Sequence, residues 1–395
     1  MTLFFGKSKL LFRPMALLAV LLLSLGFQSI RSQSSTQVPY GNPIGPLRVG
    51  VVGLTHNHVH WIMGRESQGD IQIVGIAEPD RKLAMRYAKQ YGFSMDLVYD
   101  SLEHMVKATR PEAVTAFNAT FEHLETVRYC APLGIDVMVE KPLAVSWEHA
   151  REMAALARKY NIQLLTNYET SWYGSNHKAR ELVLEQDTIG DIRRMVFHTG
   201  HFGPIEIGCT QEFLDWLTDP VLNGAGALTD FGCYGANLAT WFMQGEPPIS
   251  VTCTTRTVKP HMYPKVDDDA LIVLQYPENQ VIIQASWNWP YHVKDMEIYG
   301  STGYVLCENG TDMRLMTGRK QQSSPLTAPA LEKGLHDPFA FFHKVVKSGH
   351  RLPPYDLSSL ENNLRVVQIL EAAKRSAAEN RTIFWRDMFP EIQKQ

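Results

Sequence analysis

From Leu47 onward, short apolar and β-branched runs alternate with stretches of helical period, and past about residue 190 longer runs of alternating apolar and polar residues take over. LRVGVVG (Leu47 to Gly53) and IQIVGIAE (Ile71 to Glu78) are apolar along their length, as strands covered on both faces of a parallel sheet are. The pattern predicts a turn and helix between Gly53 and Gly69. Helices follow over Arg81 to Tyr91, Ser101 to Thr109 and Glu122 to Leu133, and from an N-cap at Ser146 to Tyr160. Further strands are expected over Ala113 to Phe117, Asp136 to Val139 and Gln163 to Tyr168. Strand, helix, strand within about 30 residues is a βαβ unit; repeated, it builds a doubly wound α/β sheet with its ligand crevice at the strands' carboxyl ends.

The second half predicts consecutive strands over Ile192 to His201, Ile249 to Val258, Ala270 to Tyr276, Val281 to Trp287, Met296 to Tyr299 and Tyr304 to Glu308, with turn signals in PENQ and GSTG. This reads as an α+β domain with an open, mostly antiparallel sheet, on which a helix from Asp230 to Met243 packs. Met313 to Pro329 reads as a surface loop, and helices over Asp337 to Lys347 and Ser358 to Asn380 as elements returning to the first domain.

Composition adds an address. Of 395 residues, 45% are apolar and 20% charged, which suits about two globular domains. Lys7, Lys9 and Arg13 precede the apolar run Met15 to Phe27, and a polar exit follows, the pattern of a secretory signal peptide over residues 1–32 with a linker over 33–46. The run is shorter than the ~20 residues a spanning helix needs, so cleavage is favoured over anchoring. It lacks an Arg-Arg pair before it and a cysteine after it, which points to Sec-type export to the periplasm or cell exterior. Removing residues 1–32 takes away Lys7, Lys9, Arg13 and Arg31 and no acid, moving the formal charge from -3 to -7. An acidic chain without a basic cluster is a poor nucleic-acid binder. The five scattered cysteines read as mostly buried thiols with at most one optional disulfide.

The candidate chemistry centres on VMVEKPL, Val137 to Leu143, where a buried strand delivers Glu140, Lys141 and Pro142 to the sheet's mouth. Pro142 stiffens the turn. Lys141 is either half of a salt bridge with Glu140 at the start of a helix or an ammonium that contacts cofactor or substrate and helps move a proton. Glu78, 25 residues beyond Gly53, stands where a dinucleotide fold places an acid against the adenosine ribose, and it would repel the extra phosphate of NADP. After Gly53 the chain reads LTHNH, with Thr55 and His58 at the second and third positions of a GxGxxG fingerprint. Thr55 and Asn57 can add side-chain donors to those of a helix N-terminus. His56, His58 and His60 invite a metal reading, but a helix starting near Asn57 would splay them, and the later strand ends carry Glu78, Asn118, Glu140 and Tyr168 without another histidine. They are read as polar groups facing cofactor or substrate, with no metal.

VMVEKPLAVSWEHA and GAGALTDFGCYGANLATWF (Gly224 to Phe242) together resemble signatures of the glucose-fructose oxidoreductase / inositol dehydrogenase (Gfo/Idh/MocA) family of NAD(P)-dependent oxidoreductases, here as an exported member. Smaller matches are AEPDRKLA, His123, WLTDP, GSTG and LRVVQILEAAKRSA. The resemblance implies a Rossmann domain over residues 47–166, a substrate and oligomerisation domain over 167–357, and a helix and tail over 358–395 returning to the first. It implies NAD rather than NADP, held by Gly53, Thr55, His56, Asn57, Glu78, Asn118, His123, Glu140 and Lys141, and an assembly of two or four copies. Asp230 would orient the substrate and support Tyr234, one helical turn on; Tyr234, with Lys141 beside it to lower a phenol pKa near ~10, would take the hydroxyl proton as hydride leaves a sugar carbon. Trp172 and Tyr173 would offer the sugar a stacking face. The chain departs from the family's usual pattern at GLTHNH, at FNATFEH after the fourth strand, and at NYETSWYG after the sixth. Free NAD is scarce outside the cytoplasm, so an exported member would hold and recycle its cofactor. Alternatives are a glycosidase that works by transient oxidation and elimination, and a carbohydrate-binding protein without turnover.

Overall fold

The structure, a computed structural model, describes residues 45–65, 67–318 and 322–390. The signal peptide expected over 1–32 lies outside them, as does all of the linker but its end. Among the described residues no helix is long and apolar enough to cross a membrane.

The first sheet is parallel, six strands in the order β3-β2-β1-β4-β5-β6: β1 Leu47–Val52, β2 Ile71–Ala77, β3 Val98–Tyr99, β4 Ala113–Ala116, β5 Asp136–Glu140 and β6 Leu164–Asn167. The order reverses between β1 and β4, so the crevice opens above those two strands. Helices α1 (Val59–Met63), α2 (Arg81–Tyr91), α3 (Leu102–Thr109), α4 (His123–Cys130) and α5 (Trp147–Tyr160) make the crossovers. Their starts are set locally: Asp80 accepts from the N–H groups of Lys82 and Leu83, and Ser146 from that of His149. The expected helix to Leu133 is α4 continued by a tight 3₁₀ turn with Pro132 in it.

The chain then enters α6 (Gly174–Arg180), β7 (Ile192–Gly200), α7 (Gln211–Leu217), α8 (Ala227–Asp230) and α9 (Gly232–Phe242). There follow β8 Ser250–Arg256, β9 Asp269–Gln275, β10 Gln280–Ser286, β11 Val293–Gly300, β12 Gly303–Cys307, β13 Asp312–Thr317 and β14 Ser324–Thr327. Helices α10 (Pro338–Ser348) and α11 (Leu360–Glu379), strand β15 (Ile383–Phe384) and helix α12 (Trp385–Met388) complete the described chain.

The second sheet has nine strands in the order β14-β13-β12-β11-β7-β10-β9-β8-β15 and is mostly antiparallel as expected, with β7 and β10 pairing in parallel. Two expectations change. The segment expected to be a loop, Met313 to Pro329, supplies β13 and β14, which exist by pairing onto the edge strand β12. Finally, of the two helices expected to return to the first domain, α10 packs against β1 and β2, whereas α11 lies between α5 and the second sheet's α9 and β8, and β15 pairs with β8. The tail therefore closes the second sheet. One large core fills the space between that sheet and α9 and α11, and two smaller cores flank the first sheet.

Candidate active site

Lys141 leaves β5 between β4 and β6, with Val137, Met138 and Val139 fully buried behind it. Asp230 arrives from the second domain. The turn before it needs glycine: a Cβ on Gly226 would stand 1.8 Å from the Asp267 carbonyl oxygen. Asp267 accepts from the N–H groups of Gly226 (2.8 Å) and Leu228 (2.7 Å), which starts α8 and so fixes Asp230 at its end. Where one helix was expected, α8 and α9 break at Phe231, whose carbonyl accepts from Thr199 Oγ1 at 3.0 Å. The two sequence-distant groups meet: Lys141 Nζ donates to Asp230 Oδ1 (2.5 Å) and to its carbonyl oxygen (3.2 Å), while Trp287 Nε1 donates to Oδ2 (2.9 Å). Burial alone would push the Lys141 ammonium toward deprotonation, but the Asp230 charge outweighs it and its pKa is raised. Burial likewise opposes ionisation of Asp230, and the Lys141 charge reverses the effect, leaving its carboxyl below its usual range.

Tyr234 follows one turn later and is 1% exposed. Ammonium groups lie over its ring, Lys141 Nζ at 5.3 Å and Lys294 Nζ at 5.1 Å from the centroid. Its pKa is raised well above the ordinary phenol value, by burial first and then by the charge of Glu169. Glu169 pairs with Lys294 and accepts from Tyr173 Oη at 2.5 Å. Burial would raise the Glu169 carboxyl, but Lys294 dominates and holds it down at about 2. His201 is kept neutral, its pKa lowered to about 4 chiefly by burial. Its Nδ1 accepts from the Gly203 N–H at 3.0 Å, which leaves the ring proton on Nε2. Lys141, Asp230, Tyr234, Glu169, Tyr173, His201, His292 and Lys294 line one cavity of about 400 Å³ together with Asn57. Trp172 stands outside it, in a neighbouring cavity.

The β1 turn forms the other wall. Gly53 has φ +76°, and a Cβ there would meet Asn118 Cβ at 2.7 Å, so glycine is required on both counts. The Leu54 and Asp80 N–H groups donate to the two oxygens of Glu78, each at 2.9 Å. Burial raises the Glu78 carboxyl despite those bonds. The His56 N–H goes to the Phe117 carbonyl, and α1 starts only at Val59, so the turn offers a phosphate fewer backbone donors than expected. Thr55 Oγ1 donates to the same carbonyl at 3.4 Å, and Asn57 Oδ1 accepts from Thr210 Oγ1 at 3.1 Å.

The late start of α1 also alters the histidines. Instead of splaying, His56 and His58 have ring centroids 4.5 Å apart, and with Glu140 they bring ligand-type atoms within 4.8 Å of one another. Only His60 turns away, to the Tyr91 hydroxyl. The His58 N–H donates to His56 Nδ1 at 3.0 Å, so His56 Nε2 carries the proton. It offers an N–H where a metal needs a lone pair, and the set as folded does not fit a metal ion.

A family model described as "Oxidoreductase family, NAD-binding Rossmann fold" matches residues 47–168, and one described as "GFO/IDH/MocA C-terminal domain" matches residues 176–306. The chain belongs to the GFO/IDH/MocA family. Among similar proteins, the trans-1,2-dihydrobenzene-1,2-diol dehydrogenase of Xenopus tropicalis is 28% identical over 237 residues, 60% of this chain and 67% of its own length. That of Sus scrofa is 27% identical over 233 residues, 58% of this chain and 65% of its own. Among solved structures, aldose-aldose oxidoreductase from Caulobacter crescentus complexed with glycerol aligns with TM-score 0.72 at 22% identity, covering 86% of this chain and 99% of that one. An inositol dehydrogenase homolog complexed with NAD+ from Azotobacter vinelandii gives 0.73 at 17%, covering 86% and 98%. At such identities the structural likeness speaks for the fold.

This GFO/IDH/MocA crevice fits the NAD its Rossmann domain binds. Of the buried polar atoms without a protein partner among the described residues, four belong to residues around the β1 turn: His56 Nε2, Asn118 Oδ1, His123 Nε2 and Trp216 Nε1. His123 gives its Nδ1 proton to the Leu143 carbonyl (3.1 Å), and burial lowers its pKa to about 4, so Nε2 accepts. Two donors and two acceptors suit a ligand carrying both phosphates and ribose hydroxyls. Sequence reasoning passed over His201, His292 and Lys294. A histidine ending a long strand was a usable signal for His201. Lys294 fell outside the expected strand Met296 to Tyr299, because β11 begins three residues earlier.

Proposed function

We propose that the chain exchanges hydride between a hydroxyl-bearing carbon of a sugar or glycoside and a retained NAD. The carrying observation is the convergence of Lys141 from the Rossmann domain with Asp230 and Tyr234 from the second domain on one polar cavity. Bound NAD supplies the hydride acceptor or donor. Lys141 spends two of its donors on Asp230 and has a third for the substrate oxygen. Asp230 holds that ammonium in place. Tyr234 keeps its proton at neutral pH, so it donates to a carbonyl oxygen more readily than it accepts from an alcohol. This revises its expected role as a base helped by Lys141. The neutral His201 offers Nε2–H as a further donor to the substrate. With its cations paired to Glu169 and Asp230, the cavity suits a neutral polyol.

The basic and apolar N-terminal run supports export, and export supports tight retention of the cofactor. Assembly belongs to the same reading. On the outer face of the second sheet Val196, Ile282 and Val273 stand side by side in register, with Leu271 42% exposed nearby, an apolar strip that a second copy would cover.

The test is to denature purified protein and assay the supernatant for NAD, then to screen sugars while following the cofactor's absorbance. NAD released in near-equal amount to chain, with a sugar-dependent change of redox state, is the expected result. A folded chain that neither carries nor binds NAD overturns the reading.

A further inference from the structure

A second cavity, of about 430 Å³, adjoins the first and shares Glu169 and Tyr173 with it as a common wall. The reaction proposed above makes no use of it. Its other walls include Trp61, Trp172, Arg65 and His336, and both indoles are half-buried, each presenting part of its surface to solvent.

Both are tied to the same carboxylate. Trp61 stacks on the His58 ring at 3.9 Å and 14°, and His58 Nδ1 is 2.9 Å from Glu140 Oε2. Trp172 Nε1 donates to Asn167 Oδ1 at 3.0 Å, and Asn167 Nδ2 donates to Glu140 Oε1 at 2.7 Å. Two aromatic walls are thus positioned from the residue preceding Lys141, which relates the second cavity's geometry to the first. The rim is equally fixed. Arg65 is held by Asp70 (2.6 and 2.8 Å) and Asp337 (2.9 Å), and His336 Nε2 lies 3.1 Å from Asp337. A pyranose has C–H faces that lie against indoles and an edge of hydroxyls that needs fixed polar partners. Because the Arg65 charge is already paired, a neutral ring suits the cavity better than a charged group.

We infer that this cavity is a subsite for the second sugar ring of a glycoside, so that the substrate is at least disaccharide-sized and spans the wall formed by Glu169 and Tyr173. The inference rests on reading the first cavity as the sugar-oxidising site.

The experiment compares kcat/KM of the NAD-loaded full chain for glucose and galactose with those for maltose, cellobiose, lactose and phenyl β-glucoside. At least one disaccharide is expected to exceed its parent monosaccharide about tenfold, the size of one well-placed ring contact, and Trp61→Ala to remove that advantage while Trp61→Phe restores most of it. Gln68→Ala, on the exposed rim of the same cavity, reads the subsite without touching the stack. It is expected to lower the disaccharide to monosaccharide ratio about threefold, the loss of one rim hydrogen bond. Monosaccharides reacting as well as every disaccharide, with the ratio unmoved in the variants, overturns the subsite and leaves the oxidoreductase intact. An advantage confined to the phenyl glucoside overturns the sugar ring in favour of an aryl group. No sugar of either size binding to the NAD-loaded chain overturns the parent reading and the subsite with it.

Discussion

Lys141 Nζ lies over the face of the Tyr234 ring, 5.3 Å from its centre, while its hydrogen bonds go to Asp230. The ammonium is thus committed to a carboxylate from another domain, and the phenol keeps a raised pKa although a cation stands beside it. Both groups therefore hold their protons at neutral pH.

Removing that ammonium strands a buried carboxylate. Lys141→Met is expected to abolish turnover and to destabilise the fold by roughly 3–5 kcal/mol, the usual cost of breaking a buried pair from one side. The double variant Lys141→Met with Asp230→Asn should recover much of that stability and remain inactive. Urea unfolding beside turnover checks both, and a double variant no more stable than the single would show the pair to be unimportant to the fold.

Tyr234→Phe keeps the ring and loses the hydroxyl. Carbonyl reduction is expected to fall about 10²–10⁴-fold, the range for losing a positioned proton donor, with little change in melting temperature. In the parent chain, alcohol oxidation should keep rising with pH past neutrality, because the phenol pKa is raised, and should reach no plateau below about 10. A plateau near neutral pH would assign the proton to another group.

Acid should weaken the fold through His123. Its pKa is about 4 when folded and about 6.5 when unfolded, so between those values the unfolded chain binds more protons and stability falls as pH falls. The contribution is complete above the unfolded value, and its loss by the lower one is roughly 3 kcal/mol. Denaturation midpoints at mildly alkaline and mildly acidic pH should differ less in His123→Gln than in the parent; equal differences would place the acid sensitivity elsewhere.

Glu78 is expected to set cofactor choice. It is buried at the end of β2 with both oxygens held by backbone N–H groups, so its position leaves little freedom to turn away from a 2′-phosphate. Glu78→Gln should narrow the NAD over NADP preference by about tenfold in a fluorescence titration, since it removes the charge and keeps the shape. An unchanged ratio would mean that discrimination lies in another residue.

Assembly is tested on the outer sheet face. Ile282→Glu, in register between Val196 and Val273, is expected to yield a folded monomer by sedimentation; an unaltered association state would place the interface on another surface.

Much of this molecule was legible before its structure. The run LRVGVVG, the N-cap Ser146 and the buried strand before Lys141 are local features, and the segments they predict fold as expected within a residue or two. β13 and β14 were not, because edge strands are stabilised by a neighbour and Met313 to Pro329 carries little internal pattern. The histidines show the same limit: whether His56 and His58 diverge or meet turned on the start of α1, a matter of two residues. The alternating elements, the family and the residue types available for chemistry follow from periodicity, capping and motif spacing, all of which are written along the chain. The pairing of Lys141 with Asp230 and of Glu169 with Lys294, and the cavity that Trp61 and Trp172 share, come from packing. Those partners lie on different elements far apart in the chain, and no local preference can say which side chains the packing of two domains will bring within a few ångströms.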